Sequence, residues 1–178
     1  MSGGSIIVLA ILAFVGITIF KGVRIVPQGY KWIVQRLGKY HTTLAPGLNF
    51  VIPYVDEVAY KVTTKDIVLD IPSQEVITRD NAVLLMNAVA YINLTTPEKA
   101  VYGIENYTWA IQNLVQTSLR SIVGEMDLDD ALSSRDHIKA KLKAAISDDI
   151  SDWGITLKTV EIQDIKPSHT MQAAMEEQ

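Results

Sequence analysis

The sequence predicts an α+β fold behind an N-terminal transmembrane helix, and three observations carry that prediction. Residues 6–20 form an apolar run with no charge. Residues 26–94 form a succession of short segments with alternating polarity, punctuated by Gly, Pro and Asn turns. From residue 97 the apolar side chains fall at helical spacing, and a last alternating segment follows at 155–165. Strands first and helices after is the order of an α+β domain.

Composition bounds what such a chain does. It has 178 residues, 48% hydrophobic and 20% charged, which suits one domain or two small ones with a packed core and argues against disorder. The absence of cysteine rules out a disulfide framework, a thiolate metal site and a thiol nucleophile, and fits a reducing compartment. The net charge of −4 hides an asymmetry. Lys21, Arg24, Lys31, Arg36 and Lys39 follow the apolar run, and no acidic residue precedes Asp56. From residue 40 onward there are 11 basic and 20 acidic residues. An acidic body argues against a nucleic-acid partner, which would want its cations on the folded surface.

The apolar run presents Ile6, Ile7, Val8, Leu9, Ile11 and Leu12, then Phe14, Val15, Ile17, Ile19 and Phe20, as the expected lipid-contact residues. As a helix, these 15 positions span about 22 Å, short of a hydrocarbon core of about 30 Å. Gly3 and Gly4 extend the uncharged stretch, and Lys21 can keep its stem in lipid with its ammonium among the headgroups. A cleaved signal peptide and a buried core helix are the competing readings. The first lacks a basic start and a small-residue cleavage site; the second is disfavoured by all-round apolarity at the chain end. Five basic residues on the C-terminal side and none before the run orient the chain, with the N-terminus outside and the body in the cytoplasm. The same collar, Lys21 and Arg24 included, would sit on anionic lipid.

Along the body, Val26-Pro27-Gln28-Gly29 is a turn signal and residues 30–40 read as a strand with Gly38 near its end. Residues 44–55 are apolar, uncharged and broken by Pro46-Gly47 and Pro53. They read either as loop and strand of the core or as a segment embedding Pro46, Leu48, Phe50 and Ile52 in the membrane interface. Residues 61–71 alternate as a strand that Pro72 ends, and 74–78 make a second short strand. Arg79-Asp80-Asn81 is a turn, and 82–94 a long strand closing an antiparallel meander. Helices are expected from Pro97, over 107–123, from Asp127, and from Ser134 with an inner face of Ile138, Leu142, Ala145, Ile146 and Ile150. Gly154 is placed to end the last of these. After the strand at 155–165, Pro167 starts a helix still running at Gln178, so the expectation is a longer polypeptide that continues it.

Motifs for chemistry are absent. His41, His137 and His169 are far apart in polar segments, as solvated side chains would be. Asp127, Asp129 and Asp130 lack calcium-loop spacing and suit the start of a helix, where the dipole favours carboxylates. No zinc-protease, serine-hydrolase or phosphate-loop pattern is present. The expectation is a protein with no catalytic residue, metal or cofactor.

An ordered series of short segments carries a resemblance. It comprises Ile25-Val26-Pro27-Gln28-Gly29-Tyr30, Gln35-Arg36-Leu37-Gly38-Lys39-Tyr40, Leu44-Ala45-Pro46-Gly47-Leu48 and Val51-Ile52-Pro53-Tyr54-Val55-Asp56. Residues 71–81, Trp153-Gly154-Ile155 and Glu161-Ile162-Gln163-Asp164-Ile165 complete it. The series resembles the stomatin/prohibitin/flotillin (SPFH, band 7) superfamily over residues 23–178, nearest its bacterial stomatin-like members. The resemblance implies an anchor at 1–24, a membrane-proximal β-rich subdomain at 25–96, a second subdomain at 97–166 and the start of an assembly helix at 167–178. It favours the interfacial reading of residues 44–55. It implies a non-enzymatic scaffold that homo-oligomerises into large rings or cages, organises membrane microdomains and regulates membrane proteins such as proteases. The lipid bilayer, the chain itself and such clients are the expected partners. A bacterial inner membrane is the expected location, since no organellar transit peptide precedes the anchor. A membrane-tethered hydrolase and a monomeric adaptor binding through a strand edge are the alternatives.

Overall fold

A computed structural model describes residues 2–176; Met1 and the last two residues of the expected terminal helix, 177–178, lie outside the described residues. The fold is α+β, as the sequence predicts. The chain divides into two compact units between Lys65 and Asp66.

The first unit opens with helix α1, Gly3–Gly22. It runs for 20 residues, about 30 Å of rise, so Gly3, Gly4, Ser5, Lys21 and Gly22 supply the length that the apolar run alone lacks. Strands β1 (Val23–Val26), β2 (Tyr30–Arg36), β3 (Lys39–Leu44), β4 (Gly47–Phe50) and β5 (Asp56–Thr63) follow. One sheet has the order β3-β2-β5, and β1 pairs with β4 in a separate antiparallel ribbon. Residues 30–40 are therefore not one strand. Leu37 and Gly38, with φ of 51° and 81°, reverse the chain between β2 and β3, as tight hairpins of two residues require. Val26, Val34, Leu44 and Val51 form a core with Trp32 and Val58 packed against it.

The second unit contains β6 (Ile67–Ile77), β7 (Val83–Leu94), α2 (Pro97–Gly103), α3 (Tyr107–Gly124), α4 (Leu128–Ser133), α5 (Arg135–Ser151), β8 (Ile155–Pro167) and α6 (His169–Glu176). Its sheet has the order β6-β7-β8, all antiparallel. Two strand boundaries differ from expectation. The alternation at 61–71 is broken by Thr64, Lys65 and Asp66, and Pro72 does not end a strand. The β6–β7 register slips between Ile71 and Gln74, so Pro72, which has no N–H to donate, sits in the irregularity of an edge strand. The division at Lys65 also differs from the expected boundary at residues 96 and 97, because β7 pairs along its length with both β6 and β8.

Ile111, Val115 and Leu119 of α3 are fully buried, as are Ile138, Leu142, Ile146 and Ile150 of α5. The stripe on α5 repeats every four residues and leaves Ala145, expected on the inner face, exposed. Ser134 precedes α5 but makes no side-chain cap bond. Gly154, at φ +70°, turns the chain from α5 into β8. Asp127 precedes α4, with Asp129 and Asp130 in its first turn. All three histidines are exposed.

Candidate membrane-contact surface

The expected lipid-contact residues fall on two pieces of the first unit. Ile6, Ile7, Val8, Leu9, Ile11, Leu12, Phe14, Val15, Ile17, Ile19 and Phe20 all lie on α1 and are all exposed. No residue of the apolar window is covered by the rest of the chain, so α1 is not a core helix. By length and composition it can cross a membrane. Thr18 donates its hydroxyl proton to the Phe14 carbonyl at 2.8 Å, satisfying its polar group within the helix.

The second piece is the β1–β4 ribbon. Cα partners are Val23 with Phe50 and Ile25 with Leu48. Side chains alternate along a strand and match across a pair, so these four apolar residues share one face. Leu48 is 77% and Ile25 69% exposed, and Phe50 is exposed as well. The other face carries Val26, which is buried in the core. Leu48, Phe50 and Ile52 are expected at the contact from the sequence, and Ile25 is a residue that only the structure adds. Its signal was the pairing of VRIV with GLNF, which is invisible without knowing that β2 and β3 lie between the partners. Pro46, also expected at the contact, is half-buried.

The ribbon and the helix are joined at Gly22. Val51 donates its backbone N–H to the Gly22 carbonyl at 2.8 Å. A Cβ at Gly22 would lie 2.5 Å from the Val51 carbonyl oxygen and 2.8 Å from the Phe50 ring, so the junction has room only for hydrogen.

A loop beside β4 adds Ile52, 46% exposed, and Tyr54, 72% exposed. Tyr54 holds φ at 73°, a left-handed conformation that bulky residues seldom adopt. Asp56 holds the loop in place. Its carboxylate accepts from Arg36 Nε at 2.7 Å and Nη2 at 3.0 Å, and from the Ile52 N–H at 2.9 Å. The Asp56 N–H in turn donates to the Ile52 carbonyl. The bonds from Arg36 hold the Asp56 carboxyl down at about 2 against the opposing effect of burial, and raise the Arg36 guanidinium.

An open groove of about 820 Å³ lies where α1 meets the ribbon and this loop. Lys21 and Arg24, both expected at the membrane, line it. Lys21 Nζ stands 5.8 Å from the centre of the Tyr54 ring. Elsewhere, the described residues hold no group of three or more His, Asp, Glu or Cys side chains placed to bind a metal.

Residues 24–178 match the SPFH domain / Band 7 family. The chain belongs to this family. An uncharacterized protein of Methanocaldococcus jannaschii is 40% identical over 172 residues, covering 97% of this chain and 85% of the relative. An uncharacterized protein of Mycobacterium tuberculosis is 35% identical over 175 residues, 98% of this chain but 46% of its own length. Human stomatin-like protein 2, mitochondrial, is 37% identical over 153 residues, 86% of this chain and 43% of its own length. The SPFH chain thus spans about half the length of the mycobacterial and stomatin-like relatives. An apolar helix of spanning length together with stomatin-like relatives supports membrane association.

Proposed function

We propose that this chain is a subunit of a non-enzymatic membrane scaffold, held at the bilayer by α1 and by the apolar face of the β1–β4 ribbon. The observation that carries the proposal is the continuity of the two surfaces. Gly22, the last residue of the apolar helix, runs straight into β1 and accepts a bond from Val51, the residue after β4, so the helix meets a ribbon with Val23, Ile25, Leu48 and Phe50 on one face. A soluble domain that leaves such residues open loses solubility unless something apolar covers them. The bilayer that receives α1 is next to the ribbon.

The basic collar supports an orientation with the N-terminus outside and the body in the cytoplasm of a bacterial cell. Family membership supports self-association into large rings or cages that enclose a patch of membrane and its proteins, among them proteases. Each subunit would add its own modest anchor, and linkage through effective concentration would make the assembly's hold far stronger than one subunit's. The expected contacts with lipid, with further copies of the chain and with membrane-protein clients belong to this proposal.

Topology and mass test it. The chain contains no cysteine, so single cysteines report cleanly. With Ser2→Cys, a membrane-impermeant maleimide should label intact cells. With Ser133→Cys in α4, labelling should require an opened membrane. Full-length protein in mild detergent should migrate as a large homo-oligomer. A monomer, or the reverse labelling pattern, contradicts the scaffold or its orientation respectively.

A further inference from the structure

We propose that the groove at the foot of α1 binds the headgroup of one anionic glycerophospholipid, with Lys21 and Arg24 on its phosphate. This rests on the membrane placement proposed above and goes beyond it. A diffuse basic collar attracts anionic lipid without holding any particular molecule, whereas a groove holds one.

Four observations point to that occupant. The first is position. Lys21 lies in the last turn of α1, and Arg24 in the strand that follows, so both cations stand where a spanning helix leaves the hydrocarbon and meets the headgroups.

The second is charge. Neither Lys21 nor Arg24 belongs to an ion pair among the described residues. Arg24 makes a 3.5 Å contact from Nη1 to the adjoining Val23 carbonyl, and Lys21 faces the Tyr54 ring. Asp56 also lines the groove, but its carboxylate is already committed to Arg36 and to the Ile52 N–H. Glu57 lines an adjoining hollow with Arg24 but forms no ion pair with it among the described residues, so the two cations are left for an incoming anion. A guanidinium offers paired donors that match a phosphate, and an ammonium adds a point charge.

The third is the chemistry of the walls. Phe20, 84% exposed, and Ile25 line the same groove, and they offer apolar surface to the acyl region of a lipid. Trp32 and Tyr54 supply the amphipathic rings that suit the boundary between tails and headgroups. The fourth is rigidity. Gly22 is closely packed against Val51 and Phe50, and the Asp56 bonds fix the loop that carries Tyr54. The groove's volume lies within the range of small-ligand sites.

The test places the full chain in nanodiscs holding phosphatidylglycerol and phosphatidylcholine in equal amounts. Native mass spectrometry then counts the lipids that stay bound on release. About one phosphatidylglycerol per chain should be retained, preferred over phosphatidylcholine by about tenfold or more, a preference that two basic contacts at a headgroup can supply. The double variant Lys21→Gln, Arg24→Gln should bring the two lipids to parity. The double variant Lys31→Gln, Lys39→Gln removes equal charge outside the groove and should leave the preference standing.

Equal retention of both lipids by the unaltered chain overturns the inference. So does an unchanged preference in the first variant, or an equal loss in the second, which would assign the effect to the collar as a whole. Loss of assembly mass in the first variant with lipid retention unchanged also overturns it and assigns the groove to a second copy of the chain. Failure of the unaltered chain to enter nanodiscs overturns the membrane reading itself; entry without lipid selectivity overturns this inference alone.

Discussion

Asp56 shapes the candidate surface from beneath, through bonds to Arg36 and to the Ile52 backbone. Its carboxylate receives two bonds from Arg36 and one from the Ile52 backbone, and so fixes a loop that exposes Ile52 and Tyr54. Its side chain is only 2% exposed. Removing one partner of a buried charged bond leaves the other unsatisfied, so Asp56→Asn should destabilise the first unit by about 1–3 kcal/mol at neutral pH. The folded-state value of about 2 lies below the ordinary aspartate range near 3.9. The stabilisation from this shift is therefore present above about pH 4 and is lost as pH falls towards 2. Denaturant unfolding can be followed through Trp32 emission in a Trp109→Phe, Trp153→Phe background. The stability gap that Asp56→Asn opens at pH 7 should close near pH 2. A gap independent of pH would contradict the assignment of the charge.

None of this was legible at Asp56 itself. The sequence shows a carboxylate after an apolar stretch, and its partner lies 20 positions away on β2. The apolar character of residues 44–55 is plain in the sequence because composition is local. The bond that shapes those residues is not local, and no periodicity announces it.

The junction of α1 with the ribbon matters most among the elements. The helix was legible because an uncharged run at the chain end, with a basic collar after it, favours a membrane span over a signal peptide or a core helix, although its full length needed the flanking glycines and Lys21. The helical stripes of α3 and α5 were legible because spacing of three and four residues is a local signal. Pairing of β1 with β4 was not, since the β2–β3 hairpin intervenes and four-residue strands carry little pattern. Strand ends at residues 64–66 and the slip at Pro72 are hidden for a related reason: alternation continues in sequence through a place where the sheet does not. Gly22 holds the junction closed. Gly22→Ala would press a methyl group on the Val51 carbonyl, and overpacking of this kind costs about 1–3 kcal/mol. Hydrogen exchange at the Val51 amide, which donates to Gly22, should quicken by about tenfold or more, the equivalent of about 1.4 kcal/mol. Unchanged protection at Val51 would show that the contact tolerates the methyl group.

At the scale of the molecule, two compact units divide the work. The second unit buries its apolar side chains in a conventional way, with α3 and α5 against the β6-β7-β8 sheet. The first unit has a smaller core and leaves apolar residues open on both α1 and the ribbon. That contrast within one chain is what a membrane-facing unit joined to a water-facing one would show. The central claim is that the ribbon face lies in the bilayer interface beside α1. A nitroxide at Leu48→Cys in lipid vesicles tests it most directly, by the relaxation caused by oxygen, which concentrates in lipid, and by a nickel chelate, which stays in water. The expected result is strong oxygen and weak nickel accessibility, close to that of a label at Ile19→Cys and opposite to one at Ser133→Cys. A Leu48 label as open to nickel as the Ser133 label would place the ribbon in water and contradict the account.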